Sequence, residues 1–186
     1  MSAPGNVRRV AESRGDWETP WDLFRELDRE FRFSLDAAAS QQNRKCRRYL
    51  TEEEDSLTAD MIDETIWLNP PYGAGLKNWV AACAAWSLSG NTVVALLPAA
   101  TDTEWFEVAF AWADEVRFLR GRVQFVGTTS SNPSGSVIFV FRQHPVRIDL
   151  SANVPLGLRV ERFDPPRVIL WDWKRDVEAA KRGAAQ

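Results

Sequence analysis

The sequence predicts an α/β fold, a mostly parallel sheet with helices on both faces and a closing antiparallel hairpin. Two observations carry this. Short apolar strand-like runs alternate with amphipathic helical stretches from residue 21 to residue 112, the spacing of βα units. Two further apolar runs, 116–119 and 136–141, have no helix between them, so they pair as antiparallel neighbours. A length of 186 residues fits one domain with a short appendage, and 45% apolar against 26% charged residues is ordinary globular composition.

Residues 1–15 lack apolar periodicity and read as a flexible arm carrying Arg8, Arg9 and Arg14. Leu23, Phe24, Leu27 and Phe31 then recur at three- and four-residue intervals, which predicts a helix with Thr19 as its N-cap and Pro20 in its first turn. The alternation over 31–35 predicts a strand that runs into Asp36 and the small residues 37–40. Tyr49-Leu50 reads as a short strand inside polar loops. Ile66-Trp67-Leu68 is a brief buried strand stopped by Asn69-Pro70-Pro71-Tyr72-Gly73, because two prolines remove two ladder donors. A helix follows over 76–88, a strand over 92–97, and a helix over 103–112 capped near Thr101-Asp102. Strands at 116–119 and 123–126 bracket Arg120-Gly121-Arg122. The strand at 136–141 is followed by a weak strand at 168–171 and a charged helix from about Trp173. The expected organisation is thus an arm (1–15), a catalytic domain (16–142) and a C-terminal extension (143–186).

Charge and cysteine content narrow the functional classes. With 23 basic and 26 acidic residues, the chain has no broad basic surface, so any nucleic-acid contact comes from local patches. Two cysteines, Cys46 and Cys83, and the single His144 cannot assemble a disulfide framework or a Cys/His metal cluster, so no metal is expected and a reducing cytoplasm fits. The apolar stretches fall far short of the roughly 20 residues that cross a bilayer.

The tetrapeptide Asn69-Pro70-Pro71-Tyr72 concentrates chemistry. Read blandly, it is a proline-rich turn with an exposed tyrosine. Its position after a buried strand and before a helix places Asn69 and the Pro70 carbonyl at the C-terminal edge of the sheet, where open α/β sheets bind ligands. Proline offers no N–H, so the turn is rich in acceptors that can face one NH2 group, and Tyr72 supplies a flat ring for a base. Those parts suit methylation of an exocyclic amine. The nitrogen lone pair is delocalised into the ring, and two acceptors on its hydrogens would localise it for attack. Catalysis then rests on positioning and electrostatics rather than on a general base. An amine inside a duplex is reached only by flipping the base out.

These residues sit in an ordered series of blocks: Trp17-Glu-Thr-Pro20, Leu35-Asp-Ala-Ala-Ala-Ser40, Tyr49-Leu-Thr-Glu-Glu-Glu-Asp-Ser-Leu57, Ile66-Trp-Leu-Asn-Pro-Pro-Tyr72, Leu96-Leu-Pro-Ala-Ala-Thr-Asp-Thr-Glu-Trp-Phe106 and Arg120-Gly-Arg-Val-Gln-Phe125. Over roughly residues 17–141 the chain resembles the phage-type, Dam-like DNA N-6-adenine-methyltransferases. The resemblance implies a Rossmann-like, S-adenosylmethionine-dependent enzyme that methylates N6 of a flipped adenine at specific sites in double-stranded DNA, phage- or prophage-borne and acting in a bacterial cytoplasm. By the same resemblance, Asn69 and Pro70 bind the amine and Tyr72 stacks on the base. Thr19, Pro20, Asp36, Ala37 and Asp55 or a neighbouring glutamate would hold the cofactor, and Trp17, just before them, reads equally as lining the cofactor site or as packing. One departure stands out: the glycine-rich loop of the wider methyltransferase pattern is replaced by Ala37-Ala38-Ala39.

Other readings compete with this one. The same turn suits a cytosine amine, an RNA base or a glutamine amide, and the missing glycines suit an inactive nucleic-acid-binding module. Arg44, Lys45, Arg47 and Arg48, and Arg120 with Arg122, are candidate phosphate contacts, although charge runs are usually solvated faces. The loop 127–135 reads equally as a hairpin connection or a DNA contact, and His144 as a surface residue. Among nine tryptophans, Trp67, Trp79, Trp86, Trp105 and Trp112 are expected in the core, whereas Trp171 and Trp173 lie beyond the blocks, where a DNA or partner contact would be sought first. The target sequence and oligomeric state are not legible.

Overall fold

The computed structural model describes residues 17–128, 134–143 and 165–184. The arm, the middle of the 127–135 loop, His144 and the rest of the 144–164 segment lie outside them. Among the described residues are four helices, α1 (Trp21–Phe31), α2 (Leu76–Leu88), α3 (Glu104–Trp112) and α4 (Trp173–Gly183). Seven strands accompany them: β1 (Leu35–Asp36), β2 (Arg48–Tyr49), β3 (Thr65–Leu68), β4 (Thr92–Pro98), β5 (Glu115–Leu119), β6 (Ser136–Phe141) and β7 (Arg167–Trp171). None of the helices is long and apolar enough to cross a membrane.

The strands form one sheet in the order β2-β1-β3-β4-β6-β5-β7. All pairings are parallel except those of β6, which runs against both β4 and β5. The β5–β6 pair is the antiparallel closure expected from the missing helix. Six strands therefore end on the same edge, which brings the residues after β1, β3, β4, β5 and β7 together there.

Side-chain alternation explains the layers. On one face Ile66, Leu68, Val93, Ala95, Leu97, Val137 and Phe139 pack under α2 and α3, through Val80, Cys83, Trp86, Phe106 and Ala109. On the other, Trp67, Val94, Leu96, Ile138 and Val140 meet Leu23, Phe24 and Leu27 of α1 and Trp173 and Val177 of α4. Because both faces are covered, β4 and β6 read as continuous apolar runs. Leu23 and Leu27 are fully buried, and each such burial stabilises by about 2 kcal/mol. At the opposite edge Arg117 forks onto Glu30 at 2.6 and 2.7 Å, tying the end of α1 to β5.

Several local expectations are corrected. Pro20, not Thr19, is the N-cap of α1, and its carbonyl accepts from Phe24 N at 3.1 Å; the Thr19 hydroxyl caps nothing. α3 starts after Thr103, whose hydroxyl turns back to the Ala100 carbonyl at 2.8 Å instead of capping the helix. The strand expected over 31–35 shrinks to Leu35–Asp36, because α1 extends to Phe31 and ends on Arg32 in the left-handed region, φ 58°. Residues 123–126 form no strand, only one bridge between Val126 and Glu18. Trp171 and Trp173 are scaffold: the Trp171 indole donates to Asp176 at 3.0 Å, and Trp173 is buried between the sheet and α1.

Candidate active site at the strand ends

Asn69 follows directly after β3, whose neighbours β1 and β4 end on the same edge. Its carboxamide Nδ2 donates to the Trp17 backbone carbonyl at 2.7 Å. The other end, Oδ1, is buried and has no hydrogen-bond partner among the described residues. Buried acceptors are seldom left unpaired, and this one sits where the sequence places the amine. Pro70 is buried beside it, and Tyr72 is half-buried.

Tyr72 is held by its own chemistry. Its hydroxyl donates to the Leu96 carbonyl at 3.2 Å, and burial pushes the phenol well above its ordinary range, so it stays a donor. The ring meets Trp17 edge-on at 5.6 Å, and Trp17 in turn stacks on Phe125 at 5.2 Å. The tyrosine is therefore a packed wall rather than the exposed ring of the bland reading.

Residues 17–20 lie across this edge as a strap. The Glu18 carbonyl accepts from Val126 N at 2.9 Å, and its carboxylate pairs with Lys45 Nζ at 2.7 Å. Thr19 is 1% exposed and its hydroxyl is unpartnered, a second orphaned polar group at the same edge. Asp36 is buried at the end of β1, where its carboxylate accepts from Lys45 N at 2.8 Å and Ala38 N at 3.4 Å. Burial raises its pKa to about 6, against the opposing pull of those amides and the Lys45 charge.

The alanine run is compatible with this geometry. Among the described residues, the left-handed non-glycine ones are Arg32, Asp55 and Asp63, so Ala37, Ala38 and Ala39 need no glycine. Ala37 N donates to Trp67 O at 3.0 Å, and the buried Ser56 hydroxyl donates to Ala37 O. That bond brings the 52–57 segment to the end of β1. Asp55 itself is exposed, at φ 43°.

The basic candidates divide. Lys45 is buried, with its ammonium on Glu18 and 4.2 Å above the Trp21 ring, so this candidate phosphate contact is neither on a solvated face nor open to a phosphate. Arg44 lies over Tyr49, Arg48 pairs with Glu64, and Arg47 is exposed. Arg120, exposed, pairs with Asp172 at 3.0 Å. Gly121 at φ 78° turns the chain so that Arg122 is also exposed. Both arginines follow β5, on the edge that carries Asn69.

Glu18, Ser56 and Phe125 join the site without having been singled out in the sequence. All three lie inside the quoted blocks, but their partners are far away in the chain, so spacing alone could not reveal them.

Residues 7–155 match the family described as DNA N-6-adenine-methyltransferase (Dam). The chain is 34% identical over 113 residues to the DNA N-6-adenine-methyltransferase of Haemophilus phage HP1 (strain HP1c1), an alignment covering 59% of this chain and 65% of that protein. It is 28% identical over 149 residues to the DNA N-6-adenine-methyltransferase of Escherichia phage T1, covering 68% of this chain and 62% of that protein. The chain thus spans slightly under two thirds of the length of each of these relatives.

Proposed function

Because the chain belongs to the DNA N-6-adenine-methyltransferase (Dam) family, we propose that it methylates the exocyclic N6 amine of a flipped adenine in double-stranded DNA at specific sites, with S-adenosylmethionine as donor. The observation that carries the reading is the unpaired Asn69 Oδ1, a buried acceptor at the end of β3.

Two acceptors define the amine site. Asn69 Oδ1 and the Pro70 carbonyl take the two amine hydrogens, which draws the lone pair out of the ring and towards a tetrahedral nitrogen. Both acceptors stabilise the positive charge that develops on that nitrogen, and neither has to reorganise during the reaction. Tyr72 supports the flipped base with its ring, anchored through Leu96.

The residues present fit the cofactor. Thr19 offers an orphaned buried hydroxyl, and Asp36 a buried carboxyl at a strand end. Thr19, Pro20, Asp36 and Ala37 would hold it, with Asp55 brought near by Ser56. When bound, S-adenosylmethionine supplies an electrophilic sulfonium methyl. Arg120 and Arg122, exposed on the same edge, and the exposed Arg47 would meet phosphates.

Transfer of tritiated methyl from labelled S-adenosylmethionine to duplex DNA, RNA and protein tests this reading. Incorporation into adenine of duplex DNA is expected. A clear preference for RNA or protein, or label in cytosine, would overturn it.

A further inference from the structure

We propose that Trp17 is the positioning residue of the catalytic turn, its backbone carbonyl fixing the Asn69 carboxamide with Oδ1 towards the substrate. The inference rests on the amine-acceptor role of Asn69 and assigns Trp17 a task other than lining the cofactor site.

A carboxamide has two nearly isosteric ends with opposite hydrogen-bonding character. Turned one way, Asn69 presents an acceptor to the amine. Turned the other way, it presents an NH2 group to another NH2 group, and the acceptor pair on which the chemistry depends is lost. Nothing in the shape of asparagine chooses between the two. The Trp17 carbonyl chooses: it lies 2.7 Å from Nδ2, and an oxygen at that distance accepts from nitrogen but repels Oδ1. The remaining oxygen is therefore directed away from the strap, and it is the one left unpaired.

That choice holds only while the carbonyl stays in place, and the surrounding contacts keep it there. The Trp17 ring is clamped between Tyr72, edge-on at 5.6 Å, and Phe125, stacked at 5.2 Å. The next residue is bound on two sides, its carbonyl accepting from Val126 N at 2.9 Å and its carboxylate held by Lys45 at 2.7 Å. Tyr72 belongs to the same turn as Asn69, so the ring that fixes the carbonyl is clamped by the turn it orients. An aromatic at position 17 fills this clamp, whereas an alanine leaves a gap beside the strap and frees the carbonyl to move.

The test uses the full chain with Trp17→Ala and Trp17→Phe. In the cofactor-free wild type, the Asn69 side-chain amide should exchange slowly with solvent by NMR, and in Trp17→Ala it should exchange about tenfold faster, the loss of one hydrogen bond. Trp17→Ala should lower kcat on duplex DNA about 100-fold, the effect of a small misplacement at a reacting centre. KM for DNA and the calorimetric Kd for S-adenosylmethionine should stay within about threefold. Trp17→Phe should recover most of kcat. If Trp17→Ala does not fold, Phe125→Leu removes one wall of the clamp and should show the same exchange and kcat changes. An unchanged kcat and exchange rate, or a loss expressed mainly as weaker cofactor binding, would overturn the inference while leaving the methyltransferase reading intact. That reading fails separately, if the wild type transfers no methyl group to DNA.

Discussion

The ammonium of Lys45 lies 2.7 Å from the Glu18 carboxylate and 4.2 Å from the centre of the Trp21 ring, with its side chain 2% exposed. The pair staples the strap at residues 17–20 to the loop after β1. Removing the lysine leaves a partly buried carboxylate without its partner. Lys45→Met should therefore lower stability by about 2 kcal/mol, read as a drop in the urea midpoint. The salt dependence of DNA binding should be unchanged, because this charge is committed inside the protein.

Arg122 should behave in the opposite way. It is exposed after β5, on the edge that holds Asn69. Arg122→Ala should leave the urea midpoint within about 0.5 kcal/mol of wild type and reduce the slope of log K against log salt by about 1. Arg120, already paired with Asp172, should give a smaller change, measured in the same fluorescence titration.

Asp36 makes the chain pH-sensitive in two directions. Its carboxyl is raised from 3.8 to about 6, so the folded chain binds this proton more tightly than the unfolded chain does. Stability from this group is present below the unfolded value and falls as pH rises through about 6, by about 3 kcal/mol in all. Cofactor binding should run the other way, because a carboxylate attracts a cationic donor and a neutral acid does not. Calorimetry should show S-adenosylmethionine affinity tightening between pH 5 and pH 7, with both dependences flattened in Asp36→Asn.

The two cysteines should be inert. Cys83 is fully buried and Cys46 nearly so, and burial raises both thiols, Cys46 to about 12. Since the thiolate is the reactive form, a disulfide reagent at pH 8 should label neither in the folded chain and both after unfolding in urea.

Much of the fold was legible because its strongest signals are local. The 76–88 helix and the 136–141 strand have the bounds their apolar patterns indicate, since burial on both sheet faces leaves them unbroken. The antiparallel closure followed from a missing helix. What escaped depends on partners distant in sequence. Residues 123–126 look like a strand, but they join no strand of the sheet and make a single isolated bridge, Val126 to Glu18. Lys45 looks like part of a basic surface, but Glu18 and Trp21 draw it inside. Trp171 and Trp173 read as candidates for a DNA or partner contact, but α4 packs onto α1, where Lys181 also meets Asp22 at 2.7 Å. Within the site, Asn69, Pro70, Tyr72, Thr19 and Asp36 were readable as types. The hydrogen bond from Asn69 to Trp17, which gives the asparagine its direction, was not.

The central claim is that the Asn69 carboxamide oxygen receives the adenine amine. The direct measurement is the nucleoside composition of duplex DNA incubated with S-adenosylmethionine and either wild type or Asn69→Ala, resolved by mass spectrometry. The account predicts N6-methyladenine with wild type and a rate at least about 100-fold lower with Asn69→Ala, with the variant still folded. N6-methyladenine formed equally by both proteins would contradict it.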